Sequence, residues 1–159
     1  MKKHLIEKFK NKKAKIGVVG LGYVGLPFAV EKAKVGFTVI GIELNSEKVD
    51  MINNDRNYIS DVKDEDLSAV VNGGFLRAEN SFEIVKELDV IVIAVPTPLT
   101  KNLTPDISYI ESVTNEISKY LHKDMLICLE STTYPGTTEE IMQPILESTG
   151  LKVGDDFYL

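Results

Sequence analysis

The sequence predicts an α/β fold in which a doubly wound parallel sheet lies between two layers of helices. Short apolar runs alternate with longer amphipathic stretches along nearly all of the 159 residues, which is the pattern of successive strand and helix units. The run at residues 90–95 is apolar at every position. Such runs, without polar alternation, are typical of strands that are covered on both faces. We therefore expect one three-layer αβα domain.

The strands are predicted from the apolar runs. Glycine, proline or charged residues bound each run, as expected where a strand meets a turn. The last run, at the end of the sequence, predicts the start of a further strand. The predicted strands are residues 15–20, 37–43, 75–79, 89–96, 125–130 and 157–159.

The helices are predicted from amphipathic stretches and from capping residues at their starts. Ser46 and Ser81 are the predicted N-caps of two of them, and Thr137 and Glu140 have the spacing of a capping box. Residues 96–105 hold three prolines and three threonines and are predicted to form a loop. The predicted helices are residues 23–35, 46–54, 64–74, 81–88, 107–121 and 137–147.

Charge is distributed unevenly along the chain. The net charge is −6, but the first 15 residues carry seven lysines and one glutamate, and the acidic excess lies in the remainder. We expect residues 1–14 to form a basic helix or arm and residues 15–159 to form one domain. An acidic body makes a general nucleic-acid binder a poor fit. The arm is expected to be a solvated helix, with contact to nucleic acid or an anionic surface as the alternative.

Several other classes of protein are disfavoured by composition. No apolar run reaches 18 residues, so no transmembrane helix is predicted, and the glycines after the lysines argue against a secretory signal. One cysteine and two distant histidines predict neither a disulfide framework nor a metal site. The expected location is therefore the reducing cytoplasm. Cys128 lies in an apolar run and is expected to be a buried, inert thiol.

The stretch "GLGYVG", residues 20–25, predicts a phosphate-binding loop of the Rossmann type. It follows a predicted strand and opens a predicted helix, which is the context that this spacing requires. Gly20 permits the tight turn, Gly22 lets the backbone approach a pyrophosphate, and Gly25 allows the helix to pack closely on the sheet. The start of the helix offers free N–H groups and a positive dipole end.

Glu43 is the second element of the predicted cofactor site. It ends the second predicted strand, 18 residues after Gly25, where a carboxylate accepts hydrogen bonds from the ribose hydroxyls of a dinucleotide. A carboxylate there would repel a 2′-phosphate, so we expect NAD rather than NADP. Because a glutamate at this position also suits FAD, this residue alone leaves nicotinamide and flavin open.

Two further loops, "VPTP" at residues 95–98 and "ESTTYPGTT" at residues 130–138, follow the fourth and fifth predicted strands. Ligands of open parallel sheets lie beyond the carboxyl ends of the strands. We therefore expect Thr97, Ser131 and Thr132 to contact the nicotinamide end, although turn chemistry is an alternative role for them.

Taken in order, "GLGYVGLP", "VPTP" and "ESTTYPGTTEE" resemble the UDP-glucose/GDP-mannose dehydrogenase family. The resemblance runs from about residue 15 to residue 159 and covers only that family's N-terminal NAD-binding domain. "NYISDV" at residues 57–62 and "PDISYIESV" at residues 105–113, with "ESTTYPGTTEE", look most like the UDP-N-acetylglucosamine 6-dehydrogenase branch.

The resemblance implies a reaction and a set of site residues. The reaction is the oxidation of a sugar C6 alcohol to a carboxylate in two NAD-dependent steps, with a cysteine thiol holding the intermediate. Thr132 is implied to position the reactive water. The implied cofactor-binding residues are Gly20, Leu21, Gly22, Tyr23, Val24, Gly25, Glu43, Lys48, Val95, Pro96, Thr97, Ser131 and Thr132.

By the same resemblance, the catalytic cysteine, lysine and asparagine of the family lie downstream of residue 159, as does the domain that binds the UDP-sugar. We therefore expect a truncated chain that binds NAD without catalysis, from a homo-oligomeric, cytoplasmic enzyme of polysaccharide biosynthesis. Alternatives are UDP-glucose or UDP-N-acetylmannosamine as the substrate, or a non-catalytic NAD-binding module. A short-chain reductase is disfavoured because no tyrosine has a lysine four residues on.

Overall fold

A single parallel sheet of five strands organises the chain. The computed structural model describes residues 2–101 and 103–159. The strands stand side by side in the order β3-β2-β1-β4-β5, and every pair is parallel. The strands are β1 (Lys15–Val19), β2 (Thr38–Ile42), β3 (Leu76–Glu79), β4 (Val90–Ile93) and β5 (Leu126–Leu129).

The helices follow the strands along the chain. A 3₁₀ helix at Phe82–Glu87 precedes β4, and a π-helical segment at Thr138–Met142 leads directly into the last α-helix. The α-helices are α1 (Lys2–Lys10), α2 (Gly25–Lys34), α3 (Ser46–Asn53), α4 (Asp64–Asn72), α5 (Ser108–Ser118) and α6 (Gln143–Glu147).

Two apolar clusters, one on each face of the sheet, form the core. In β1, Ile16 and Val18 belong to the cluster that includes α2 and α4, whereas Val19 belongs to the cluster that includes α5 and α6. Successive side chains of a strand point to opposite faces, so each strand contributes to both clusters. The predicted doubly wound, three-layer αβα fold of the Rossmann type is therefore confirmed.

The sheet reverses its strand order beside β1. The chain runs outward from β1 to β2 and β3 and then returns to place β4 on the other side of β1. At such a switch point the loops after neighbouring strands diverge and leave a crevice at the carboxyl ends. The loops after β1, β2 and β4 therefore frame the natural binding position of the fold.

Some local predictions were wrong in detail. The N-cap of α3 is Asn45 and not Ser46, because the Asn45 Oδ1 atom accepts hydrogen bonds from the N–H groups of Glu47 and Lys48 at 2.9 and 3.3 Å. The predicted capping box at Thr137 does not form. Its hydroxyl instead donates to the Tyr134 carbonyl at 2.9 Å, and the helix there begins with a π-helical turn.

Other local predictions need only adjusted bounds. Ser81 does cap the element after β3, accepting from the Glu83 N–H at 3.1 Å, but that element is a 3₁₀ helix. Helix α2 begins at Gly25, two residues later than predicted, and β4 ends at Ile93. At the end of the sequence, Tyr158 pairs in parallel with Leu126 of β5, as expected for a further strand.

The basic N-terminal helix α1 lies against the domain. Leu5 is buried, and the Phe9 ring packs edge-on against the Phe37 ring with centroids 6.2 Å apart. Lys8 forms an ion pair with Asp89, the residue that precedes β4. Part of the positive charge of this segment is therefore used to hold it on the acidic body. No helix among the described residues is both long and apolar enough to span a bilayer.

Candidate cofactor site

A cleft of about 980 Å³ opens at the carboxyl ends of β1, β2 and β4, at the switch point of the sheet. Its walls are mainly apolar, and Glu43 and Lys48 are the charged residues that line it. The segments 19–20, 22–24, 42–45 and 94–96 supply much of the wall, together with side chains from α3 and α5. The dimensions and lining are those of a small-molecule site.

The packing of the protein itself requires a glycine at two positions, Gly20 in the loop after β1 and Gly25 at the start of α2. Gly20 has a φ of +88°, and a Cβ there would lie 2.6 Å from the Ala94 carbonyl oxygen. A Cβ at Gly25 would lie 1.7 Å from the Gly20 carbonyl oxygen. Gly25 is buried and does not line the cleft, so it contributes by letting α2 pack closely on the loop.

Gly22 is different, because nothing in the protein requires a glycine there. Its φ is not positive, and a Cβ would have no protein atom within 4 Å. The residue lines the cleft, so the open space beside it is available to a ligand. This open cradle at the start of a helix fits the close approach of a dinucleotide pyrophosphate.

Leu21 anchors the glycine loop and does not form part of the cleft wall. Its side chain is fully buried, and a Cβ on Gly41 would lie 2.5 Å from Leu21 Cδ1. Its N–H donates to Glu43 Oε2 at 3.1 Å, and its carbonyl accepts from the Tyr58 hydroxyl at 2.7 Å. Of the loop residues, Gly20, Gly22, Tyr23 and Val24 line the cleft.

Glu43 follows β2 and is held rigidly at the edge of the cleft. Its Oε2 atom accepts from the Leu21 N–H, and its Oε1 atom accepts from the Asn45 N–H at 3.0 Å. Each carboxylate oxygen keeps a further lone pair for a ribose hydroxyl. The same carboxylate therefore fixes the glycine loop and offers acceptors to a ligand.

Tyr58 is a site residue that sequence reasoning did not single out. It lines the cleft, donates to the Leu21 carbonyl, and carries the Lys48 ammonium 5.4 Å from its ring centroid. Burial, and then the nearby Glu43 charge, raise the pKa of Tyr58, so the phenol stays protonated. The only signal in the sequence was its place in "NYISDV", a stretch to which no chemical role was assigned.

Helix α5 contributes the opposite wall through residues that were also missed. Tyr109 is half exposed, and it lines the cleft with Ser112 and Val113. Phe82, from the 3₁₀ helix, adds another aromatic side chain. The motif "PDISYIESV" contains Tyr109, Ser112 and Val113, but their joint exposure to the cleft depends on where α5 packs.

A smaller cavity of about 210 Å³ lies between the loops after β4 and β5. Thr97 and Thr132 line it, as do Pro96 and Ser131. The Ser131 hydroxyl accepts from the Val95 N–H at 3.0 Å and donates to the Val95 carbonyl at 2.8 Å. Both peptide groups of Val95 are thus engaged by Ser131, which joins the two loops, while Thr132 is exposed at the cavity.

A strand, a glycine turn and a helix, with an acidic residue at the end of the next strand, meet at the switch point of a parallel sheet. This arrangement defines a dinucleotide-binding domain of the doubly wound class. The chain belongs to the UDP-glucose/GDP-mannose dehydrogenase family, whose NAD binding domain matches residues 14–159. The family resemblance and the cofactor prediction, NAD, are thereby confirmed.

Relatives of known function are about three times longer than this chain. It is 36% identical over 146 residues to UDP-N-acetyl-D-mannosamine dehydrogenase of Pyrococcus horikoshii, covering 91% of this chain and 35% of that protein. It is 34% identical over 148 residues to UDP-N-acetyl-D-glucosamine 6-dehydrogenase of Pseudomonas aeruginosa, covering 92% of this chain and 34% of that protein. The chain therefore spans about a third of the length of these relatives.

A solved structure gives the same result for the fold. A ternary complex of GDP-mannose dehydrogenase from Pseudomonas aeruginosa superposes with a TM-score of 0.84 at 34% identity. The superposition covers 89% of this chain and 34% of that chain. The five-stranded domain is thus similar to one part of a larger dehydrogenase.

Proposed function

We propose that this chain binds NAD in the 980 Å³ cleft as the cofactor domain of a nucleotide-sugar 6-dehydrogenase. The proposal rests on Gly22, which lines the cleft although the packing of the protein does not require a glycine there. NAD supplies a hydride acceptor for the oxidation of an alcohol. The residues of the chain bind and orient it.

Each part of the site has a proposed role. The loop at Gly22, Tyr23 and Val24 holds the pyrophosphate with its N–H groups and the dipole of α2. Glu43 accepts hydrogen bonds from the adenosine ribose and disfavours a 2′-phosphate at that point by charge repulsion. Lys48 lies beside the same ribose and is held over the Tyr58 ring.

The smaller cavity is proposed to receive the nicotinamide end. Pro96, Thr97 and Thr132 line it, and Ser131 fixes the loop from which Thr132 projects. Thr132 is proposed to position the water that releases the acid. Val95 lines both cavities, and its peptide groups are hydrogen-bonded to Ser131. Its proposed contribution is therefore to the shape of the wall.

The chain alone is proposed to bind NAD without turnover. Its single cysteine, Cys128, lies half-buried within β5. Burial, and then the Glu130 charge, raise the pKa of the Cys128 thiol, which opposes formation of the thiolate nucleophile. The nucleophile is proposed to lie in a further domain, which also binds the UDP-sugar.

UDP-N-acetylglucosamine is the proposed substrate of the whole enzyme, from the stretches "NYISDV", "PDISYIESV" and "ESTTYPGTTEE". UDP-N-acetylmannosamine is a second candidate, favoured by the Pyrococcus horikoshii relative, and UDP-glucose is a third. NADH formation by the protein of the complete gene, with each sugar in turn, decides among them. Turnover of UDP-glucose alone would refute an N-acetylated substrate.

The remaining proposals concern the setting of the enzyme. Residues 15–159 are proposed as the NAD-binding domain and residues 1–14 as a basic N-terminal helix or arm. The whole enzyme is proposed to be a cytoplasmic homo-oligomer of polysaccharide biosynthesis. A non-catalytic NAD-binding module is the alternative. A complete coding sequence without a cysteine-bearing second domain would favour that alternative.

A further inference from the structure

Tyr58 forms a hydrogen bond to which the proposed function assigns no role. It lies beyond α3 in sequence, yet its hydroxyl reaches the glycine loop and donates to the Leu21 carbonyl at 2.7 Å. Its ring lines the same cleft and supports Lys48. These contacts join the adenosine side of the cleft to the phosphate loop.

The hydrogen bond acts on a defined peptide unit. A trans peptide is planar, and its C=O and N–H groups point in opposite directions. When the Tyr58 hydroxyl holds the Leu21 carbonyl, it also sets the direction of the Gly22 N–H, which points away from the phenol. On the other side of Leu21, the N–H is held by Glu43 Oε2 at 3.1 Å.

The loop is therefore clamped from both ends of one residue. The Leu21 side chain is fully buried, so the residue cannot rotate without leaving the core. Gly20 and Gly22 flank it, and glycines are the positions at which a backbone turns most freely. The outer peptides of these glycines are held by other bonds, since the Gly20 N–H donates to the Ile42 carbonyl at 2.9 Å and the Gly22 carbonyl accepts from the Leu26 N–H at 3.0 Å. Without the two clamps, the Gly20–Leu21 and Leu21–Gly22 peptides between them would sample several orientations, and a ligand would have to order them on binding.

We propose that Tyr58 is a positioning residue that orients the Leu21–Gly22 peptide for the pyrophosphate of NAD. The inference rests on the proposed function, because it assumes that the loop at Gly22 receives the phosphates. It goes further by assigning the preorganisation of that loop to one hydroxyl. A phenol is protonated across the neutral pH range, and burial raises the pKa of Tyr58 further, so this donor also persists at alkaline pH.

The test compares Tyr58→Phe with Tyr120→Phe in the 159-residue chain. Both changes remove only a hydroxyl, and both rings carry a lysine ammonium, Lys48 at 5.4 Å and Lys86 at 5.1 Å. Tyr120 packs in the other apolar cluster, away from the cleft. The ligands are NAD, ADP and adenosine, titrated by calorimetry or by NMR.

Loss of one neutral hydrogen bond should weaken NAD and ADP binding to Tyr58→Phe by about 3- to 10-fold. Adenosine has no phosphate, so its affinity should not change, and Tyr120→Phe should bind all three ligands like the unmodified chain. The Gly22 amide resonance should shift in Tyr58→Phe, without ligand, and stay in place in Tyr120→Phe.

Equal losses for adenosine and NAD would overturn the proposal, since they would indicate general packing of the cleft. An unchanged Gly22 amide resonance or an unchanged NAD affinity would overturn it as well. Failure of the unmodified chain to bind NAD would instead refute the proposed function. Normal binding by that chain with no difference in Tyr58→Phe would refute only the role of Tyr58.

Discussion

Replacement of Gly22 by alanine should weaken NAD binding without lowering the stability of the fold. The backbone at Gly22 has no positive φ, and the added Cβ would meet no protein atom within 4 Å. The folded chain therefore accepts the methyl group without strain. Because Gly22 lines the cleft, the same methyl group would occupy the space proposed for the pyrophosphate.

The two effects have opposite signs and separate magnitudes. A glycine-to-alanine change at a compatible backbone position stabilises a protein by about 0.4–1 kcal/mol, because the unfolded chain loses conformational freedom. For a domain of this size that is a rise in Tm of roughly 1–4 °C. An extra methyl group in a close-packed contact costs about 1–3 kcal/mol, so the NAD dissociation constant should rise about 5- to 150-fold.

The assay is thermal unfolding of the chain followed by calorimetric titration with NAD. Gly25→Ala is the matched control, because a Cβ there would lie 1.7 Å from the Gly20 carbonyl oxygen. That variant should lose about 3 kcal/mol of stability or more. Unchanged NAD affinity in Gly22→Ala would show that the pyrophosphate does not pass close to Gly22. A lower Tm in Gly22→Ala would refute the open space described there.

Three further predictions test other parts of the site. Glu43→Gln should weaken NAD binding by roughly 1–3 kcal/mol, because a charged hydrogen-bond acceptor is lost. The same change should reduce the preference for NAD over NADP, and calorimetry measures both affinities. An unchanged ratio of the two affinities would show that Glu43 does not contact the ribose. Ser131→Ala should lower the free energy of unfolding by about 1–3 kcal/mol, because both peptide groups of Val95 lose a hydrogen-bond partner. Thr132 is exposed, so Thr132→Ala should change the free energy of unfolding by less than about 0.5 kcal/mol. Equal effects of the two changes in denaturant titrations would contradict these assignments. The pKa of the Cys128 thiol is raised in the folded state, so folding favours the protonated thiol. This contribution to stability is complete below the unfolded pKa and is lost as the pH rises through the folded pKa. Alkylation of Cys128 by iodoacetamide near pH 8 should therefore be slower in the folded than in the unfolded chain, and equal rates would show an accessible thiolate.

The elements of the fold and the centre of the site could be predicted because their signals are local. The strand, the glycine turn and the helix at residues 15–34 follow one another directly along the chain. The spacing of the glycines between strand and helix indicates a dinucleotide ligand. Glu43 follows from its place at the end of the next strand. Fully apolar β4 shows its burial on both faces in its own residues.

The missed features depend on contacts between distant segments. Tyr58 lies 37 residues from Leu21, its hydrogen-bond partner. Ser131 was predicted as a site residue, but its hydrogen bonds to Val95, 36 residues away, were not. Such hydrogen bonds depend on how helices and loops pack on the sheet, which no local spacing reveals. The wrong prediction of Ser46 as the α3 N-cap has a similar origin. Asn45 and Ser46 are adjacent and have similar capping ability, so only the path of the backbone decides which of them caps the helix.

Calorimetric titration of the 159-residue chain with NAD and with NADP shows whether the chain binds NAD at the cleft beside Glu43. We expect one NAD bound per chain and NADP binding at least about tenfold weaker, because Glu43 repels the 2′-phosphate. Absence of NAD binding, or tighter binding of NADP, would contradict this expectation.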